Sequence, residues 1–425
     1  MSTVGKGRDR RRRVVVTGFG ALTAVGIGVE ATWKNLLAGQ SGVDRITQFD
    51  PTGYPSTIAA EVKGFEPPAF LDAKEARRMS RFELFALSAT QEALGSASLT
   101  VTEENADDVG VIVGTGIGSL TTTQQECAVM LQRGGMRMNP FFLPMMLANM
   151  ATAQVTRVFN LRGYSTTVVT ACASGAQAIG EAADVIRRGA AEIMIAGGSE
   201  ASVCELGLAS FCVLRALSSR NDEPTRASRP FDRTRDGMVP AEGAALLVLE
   251  SLESAKRRGA RIYAEVLGYG VSSDAYHVVA PRPDGDGAAR AMIRALNDAE
   301  VVPNEVDYIN AHGTGTVLGD AAETRAIKSV FGERAYEIPV SSTKSMIGHS
   351  MGAAGAIEAL VTVLSIRDGV VHPTINYETP DPECDLDYVP NQCRPASIEV
   401  ALSNSFAFGG HNAVLAFGRP DSVLD

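Results

Sequence analysis

The sequence predicts an α/β fold assembled from two similar halves. Apolar, strand-like runs alternate with helix-like stretches across glycine-rich turns, the pattern of strands buried on both faces. Three segments of the first half return in the same order in the second. The length, 425 residues, also exceeds that of a single-core domain by roughly two- to threefold.

Taken in order, Val14-Val15-Val16-Thr17-Gly18-Phe19-Gly20 reads as a strand running into a glycine turn. Arg77 to Gly95 carries apolar residues at helical spacing. Val109 to Gly114 (VGVIVG) is a second strand. The apolar run ending at Val169 leads past Cys172 into a helix over Ala176 to Ile186. Glu192 to Gly198 (EIMIAGG) and Gly243 to Leu252 (GAALLVLESL) supply two more strands. In the second half, Arg261 to Gly270 (RIYAEVLGYG) answers Arg13 to Gly20. Val306 to Gly315 (VDYINAHGTG) answers Val109 to Gly116, and Ile338 to Gly369 answers Thr166 to Gly189. Buried strands ending in glycine look alike, so the shared order carries the inference. The expected organisation is a basic tail over 1–12, one half over 13–260 and a second over 261–425.

Composition narrows the function. Apolar residues make up 45% and charged residues 21%, ordinary for a soluble globular chain. No apolar run is long enough to span a bilayer, and no signal core follows the basic N-terminus, so a cytoplasmic protein without membrane contact is expected. A net charge of −10 argues against nucleic acid as a partner. The six cysteines (Cys127, Cys172, Cys204, Cys212, Cys384 and Cys393) include no CxxC pair, which suits neither a disulfide framework nor a zinc site. Neither half has a Walker-type lysine loop or a GxGxxG opening a helix, so nucleotide binding has no support. No metal and no resident cofactor are expected.

Four segments could carry chemistry. In Val168-Val169-Thr170-Ala171-Cys172-Ala173-Ser174-Gly175-Ala176, a strand stops, a cysteine follows, and small residues lead into a helix. This suits a nucleophile elbow, with the helix N-terminus favouring thiolate; it equally suits a buried cysteine packed as a small hydrophobe. Asn310-Ala311-His312-Gly313-Thr314-Gly315-Thr316, followed by Asp320 and Glu323, places a histidine among glycines and hydroxyls at a strand end. Ser341 to His349 (SSTKSMIGH) puts Lys344 and His349 before a small-residue helix carrying Glu358. Asn404 to Asn412 (NSFAFGGHN) offers glycines whose backbone N–H groups could approach a ligand, or a plain turn capped by His411. A cysteine with two histidines fits acyl transfer. A cysteine protease needs one histidine and an orienting Asn or Asp, not a second histidine beside a lysine.

The motifs TACASG, NAHGTGT, STKSMIGH and NSFAFGG resemble those of the β-ketoacyl-acyl carrier protein synthase II family, and the likeness runs from about Arg12 to Phe417. It implies the thiolase fold, a duplicated five-layered αβαβα architecture, in a cytosolic homodimer. It implies that Cys172 takes an acyl group from acyl carrier protein, and that His312 and His349 bind the thioester carbonyl of malonyl carrier protein as carboxylate is lost. Backbone N–H groups of Cys172 and Phe408 would hold the oxyanion. Lys344 and Glu358 would organise the histidines, and Phe408 and Phe211 would gate. Ile117, Phe406 and, from the partner subunit, Phe142 would contact the acyl chain. Thr314 and Thr316 would touch the phosphopantetheine arm. Lys74, Arg77, Arg78, Arg137 and Arg215 fall where the family places a basic patch for the acidic carrier.

The chain departs from that pattern at Val279, where a threonine is usual, and at Ala280, Ala241, Ala245, Ala407 and Tyr164. None touches the Cys-His-His set, but they leave chain length and carrier identity open. The alternative is the ketosynthase of a polyketide or polyene pathway, paired with a chain-length-factor-like subunit. A chain-length factor itself lacks the nucleophile. A thiolase proper would carry a second cysteine late in the chain, where Phe408 stands.

Overall fold

The computed structural model describes residues 11–420. The expected basic tail therefore falls almost wholly outside the described residues. Arg11 and Arg12, at its end, pair with Asp298 and Glu192, each at 2.6 Å.

Ten strands form two sheets of five, joined into one hydrogen-bonded series by two residue pairs. They are β1 (Val14–Thr23), β2 (Val109–Gly114), β3 (Ser165–Val168), β4 (Ile193–Glu200), β5 (Gly243–Ser251), β6 (Ala264–Ser273), β7 (Tyr308–Asn310), β8 (Val340–Ser341), β9 (Val400–Phe406) and β10 (His411–Gly418). Their order is β8-β7-β9-β10-β6-β1-β5-β4-β2-β3, with the two-residue strand Gly26–Ile27 added to β1. Read outward from the β1–β6 contact, one side runs β1-β5-β4-β2-β3 and the other β6-β10-β9-β7-β8. Each strand thus has its equivalent five strands later. Directions repeat as well: β2 is parallel to β3 and β4, as β7 is to β8 and β9, and the remaining neighbours are antiparallel. The three sequence repeats fall on β1 and β6, on β2 and β7, and on β3 and β8 with the helices that follow.

Five helices complete the layers: α1 (Arg81–Ser96), α2 (Ser174–Arg187), α3 (Asp286–Ala299), α4 (Val317–Phe331) and α5 (Ala354–Asp368). Strand side chains alternate between two cores, as the period of two requires. In β2 and β5, Val111, Val113, Leu246 and Val248 face the outer core with Phe82 and Phe85 of α1. Ile112, Leu247 and Leu249 face the central core with Ile179 of α2 and Leu360 of α5. In the second half, Ile309, Leu402 and Val414 join Met292 of α3 and Ile327 of α4 in the other outer core. The result is helix, sheet, helix pair, sheet, helix: the αβαβα thiolase architecture. No helix of the described residues is long and apolar enough to cross a membrane.

Two sequence features take their meaning from this layering. Residues Ala354 to Ile366 of α5 are all buried, as befits a helix with a sheet on each side. The helix expected to start at Arg77 starts at Arg81, because Ser80 and Glu83 form a capping box in which Ser80 N–H donates to Glu83 Oε1 at 3.1 Å. Asp72 caps a separate turn at Ala73–Ala76.

The central helices approach on glycine. A Cβ on Gly355 would stand 2.8 Å from Ala176 N, and one on Gly175 the same distance from Ala356 N. Gly355→Val should therefore overpack the α2–α5 seam and cost about 1–3 kcal/mol, read as a lower urea midpoint. An unchanged midpoint would show that the seam has room to spare.

Candidate active site

Cys172 lies in a single 3₁₀ turn, Ala171–Ala173, between β3 and α2. Ala171 has φ +49°, a conformation L residues rarely adopt. Ser174 staples this bend: its Oγ accepts from Thr170 N–H at 2.8 Å and lies 2.7 Å from Ala171 O. Small neighbours are what let the chain turn so sharply.

His312 sits in the loop after β7, and two buried carboxylates from α4 hold that loop. Glu323 accepts from His312 N–H at 2.9 Å and Gly313 N–H at 2.8 Å. Asp320 accepts from Thr314 N–H at 3.0 Å and Gly315 N–H at 3.2 Å. Burial raises Glu323 to about 7 and Asp320 to about 6, against the pull of those N–H groups and, for Asp320, of Arg235. His349 arrives on a connection that is longer in the second half than its counterpart in the first. Its N–H donates to Val239 O at 2.7 Å, and its carbonyl accepts from Ala241 N–H at 3.0 Å. The two imidazoles stand edge to face, 5.5 Å between centroids at 87°.

Behind them lies Lys344, 1% exposed and ion-paired with Glu358. Its ammonium donates to His312 O at 2.7 Å and stands 3.3 Å from His312 Nδ1. An ammonium only donates, so Nδ1 must accept and the ring proton must sit on Nε2. Burial, with Lys344 adding to it, holds both imidazoles well below 6.5, so both are neutral. Burial likewise lifts the Glu358 carboxyl, and Lys344 pulls it back.

One cavity of about 340 Å³ gathers Cys172, His312, His349, Thr314, Thr316, Phe406 and Phe408, with Arg215 and Val279 also on its wall. The N–H groups of Phe408 and of Cys172 itself face the sulfur. Of the two readings left open for this cysteine, burial favours the thiol over the thiolate. Burial pushes the thiol up to about 11, and Lys344 and the two N–H groups only partly offset it. With Cys172 ahead of α2 and 6% exposed, desolvation outweighs the helix terminus.

Other expected residues lie elsewhere. Ile117 is half exposed and Phe142 part-buried on the short helix Phe142–Met146; neither lines this cavity. Phe211 borders a small apolar void with Cys204 and Leu208, and Met351 borders both spaces. Lys74, Arg77, Arg78 and Arg137 are exposed, with the Arg78 guanidinium 4.4 Å above the Phe141 ring. Of the basic set, Arg215 alone lines the cavity. Sequence reasoning noted Asp320 and Glu323 without a role, although their spacing on one helix turn after a GTGT loop was a usable signal. It missed Met351, which lines the cavity.

Residues 11–255 match the family described as beta-ketoacyl synthase, N-terminal domain, and residues 263–378 its C-terminal domain. The 3-oxoacyl-[acyl-carrier-protein] synthase 2 of Synechocystis sp. is 51% identical over 409 residues, 96% of this chain and 98% of that one. Its namesake in Staphylococcus aureus is 50% identical over 411 residues, 97% and 99% of the two chains. Among solved structures, the ishigamide ketosynthase/chain length factor superposes with a TM-score of 0.90 at 41% identity, covering 96% of this chain and 99% of that one. A beta-ketoacyl synthase from Burkholderia phymatum gives 0.89 at 39%, with the same coverage. So does a type II PKS ketosynthase in complex with its acyl-carrier protein, at 38%.

The burial of Cys172 sets a reactivity order. At neutral pH iodoacetamide should label exposed Cys127 and Cys393 before Cys172. Labelling of Cys172 should still be accelerating from pH 8 to pH 10, since its thiol sits near 11. A rate plateau near pH 7, mapped by peptide mass spectrometry, would contradict the buried thiol.

Proposed function

The chain belongs to the β-ketoacyl synthase family, and from that premise we propose how its own residues divide the work of a 3-oxoacyl-[acyl-carrier-protein] synthase. The observation that carries this reading is a single cavity holding a cysteine with two N–H groups at its sulfur and a pair of neutral imidazoles. In the first step the Cys172 sulfur attacks the acyl-carrier thioester. The oxyanion settles against the N–H groups of Phe408 and Cys172, and the pantetheine thiolate leaves, taking up the proton the thiol has lost.

Malonyl carrier protein then enters. His312, its proton fixed on Nε2 by Lys344, and His349 donate hydrogen bonds to the malonyl thioester oxygen. The carbon–carbon bond to the carboxylate breaks, carbon dioxide leaves, and the electron pair becomes an enolate held by those donors. Its carbon attacks the acyl-Cys172 carbonyl, and the Cys172 thiolate departs to give the β-ketoacyl carrier. Neutral imidazoles suit this task, because they stabilise developing charge without a proton to discharge first.

The assignment to fatty acid elongation, over a dedicated polyketide pathway, rests on identity near 50% to the elongation synthases against about 40% to the ketosynthase structures. Thr314, Thr316 and Val279 on the cavity wall would meet the pantetheine arm, with Arg215 and the exposed Lys74, Arg77, Arg78 and Arg137 receiving the acidic carrier. A homodimer in a cytoplasmic setting completes the reading. Strand β3 ends the sheet with an unpaired edge, and Leu131, Met136 and Leu143 are exposed in the segments that precede it. A second copy on that edge would cover Ile117 and Phe142 and make them walls of the acyl chamber.

Two experiments address this reading. His349→Ala should still form an acyl adduct on Cys172, seen by intact mass, while losing ~10²–10³ in malonyl-carrier decarboxylation, the usual effect of removing one preorganised donor. Unimpaired decarboxylation in both His349→Ala and His312→Ala would remove the mechanism. Val279→Thr restores a hydroxyl on the cavity wall. It should raise kcat/KM for a pantetheine donor more than for the intact carrier, and an unchanged ratio would place Val279 off the arm.

A further inference from the structure

Because the two halves repeat, the catalytic centre has an internal counterpart. Strands β4 and β9 are equivalent and end at Glu200 and Phe406. Near those ends, Gly197 pairs with Val113 and Ser403 with Asn310. Just beyond these partners stand Thr115 and His312. The turns into α2 and α5 open on Ala171 and Met351, with φ of +49° and +45°, so Gly352 takes the place of Cys172. The counterpart of Cys172, His312 and Phe406 is therefore Gly352, Thr115 and Glu200. Its nucleophile and imidazole are gone.

That counterpart is filled from within. The Glu200 side chain is fully buried. Its Oε2 accepts from Gly116 N–H at 2.6 Å and from Gly352 N–H at 3.2 Å, with Thr115 Oγ1 at 3.4 Å. Its Oε1 accepts from the Ser202 hydroxyl at 2.6 Å. A Cβ on Gly352 would lie 2.1 Å from Gly116 N, so only glycine lets the two amides converge on one oxygen. One of these amides precedes Ile117. The other belongs to the strained turn that follows His349, and Met351 in that turn lines the catalytic cavity.

We propose that Glu200 is a positioning residue for the decarboxylating half-reaction: its carboxylate fills the internal counterpart of the active site and, through Gly352, fixes the turn that follows His349. Holding Gly352 keeps Met351 in its left-handed conformation, and release would let the turn relax and carry the imidazole away from the thioester oxygen. Cys172 has its own staple in Ser174, which meets the Glu200 site only at Thr115 O, 3.0 Å from Ser174 Oγ, so acyl transfer should depend on Glu200 less than decarboxylation does.

The inference rests on the condensing reading above, and the test separates the two. Glu200→Asp draws the carboxylate back by one methylene. It should lower malonyl-carrier decarboxylation at least ~10-fold while acylation of Cys172 stays within ~3-fold, and Glu200→Gln, which keeps an acceptor in place, should recover most of the loss. Equal losses in both half-reactions would mark Glu200 as merely structural and overturn the proposal, as would an Asp variant that decarboxylates like wild type. If Glu200→Asp does not fold by circular dichroism, Ser202→Ala, which frees the other carboxylate oxygen, carries the test. The same unequal loss is expected of it, and unchanged or equal rates overturn the proposal. Wild-type protein that releases no carbon dioxide from malonyl carrier would overturn the condensing reading as well, a result no Glu200 variant could mimic.

Discussion

A lysine ammonium buried at the middle of the molecule governs the site. Lys344 is buried against Glu358, and removing one partner of such a pair typically costs about 3–5 kcal/mol. What remains of its hydrogen-bonding capacity is aimed at His312, at the carbonyl and at Nδ1. One charge thus decides which nitrogen of His312 carries the proton, helps keep both imidazoles neutral, and draws down a thiol that burial would otherwise leave more inert still. Dryness makes each of these effects large, and the two sheets closing on α2 and α5 supply the dryness.

Duplication explains why the chemistry is shared between halves. The first half has a bare elbow and provides the nucleophile. In the second, the longer connection between β8 and α5 brings in Lys344 and His349, and the loop after β7 adds His312 on two carboxylates of α4. Neither half alone has both a nucleophile and a donor pair, so the reacting atoms must meet at the seam. The glycine contacts between α2 and α5 hold that seam tight.

Much of this was legible in the residues. The strands at Val14, Val109 and Gly243 were plain because continuous apolar runs have few other uses, and the order of the repeats foretold the sheet. Cys172, His312 and His349 stood out only as a set, one cysteine with two histidines beside a lysine, since each alone suits packing as well. What failed depended on distance through space. The helix-terminus argument for Cys172 used the one favourable influence visible in sequence and had no means of weighing desolvation. Ile117 and Phe142, expected at an acyl pocket completed by a partner subunit, lie outside the cavity of a single chain. Glu200 left no signal, since a glutamate at the end of an apolar strand looks like the start of a loop until Gly116 and Gly352 are seen to converge on it.

Strand β3 is at once the outermost strand of the sheet and the one that delivers the nucleophile. The reactive sulfur is therefore supported from the rim of the molecule, by Ser165–Val168, and not from its centre. A substitution in these four residues that alters what the edge adheres to also alters the footing of the elbow. On the proposed dimer, natural selection could not tune assembly and catalysis separately here, and divergent copies of such a chain would be expected to change partner and product together.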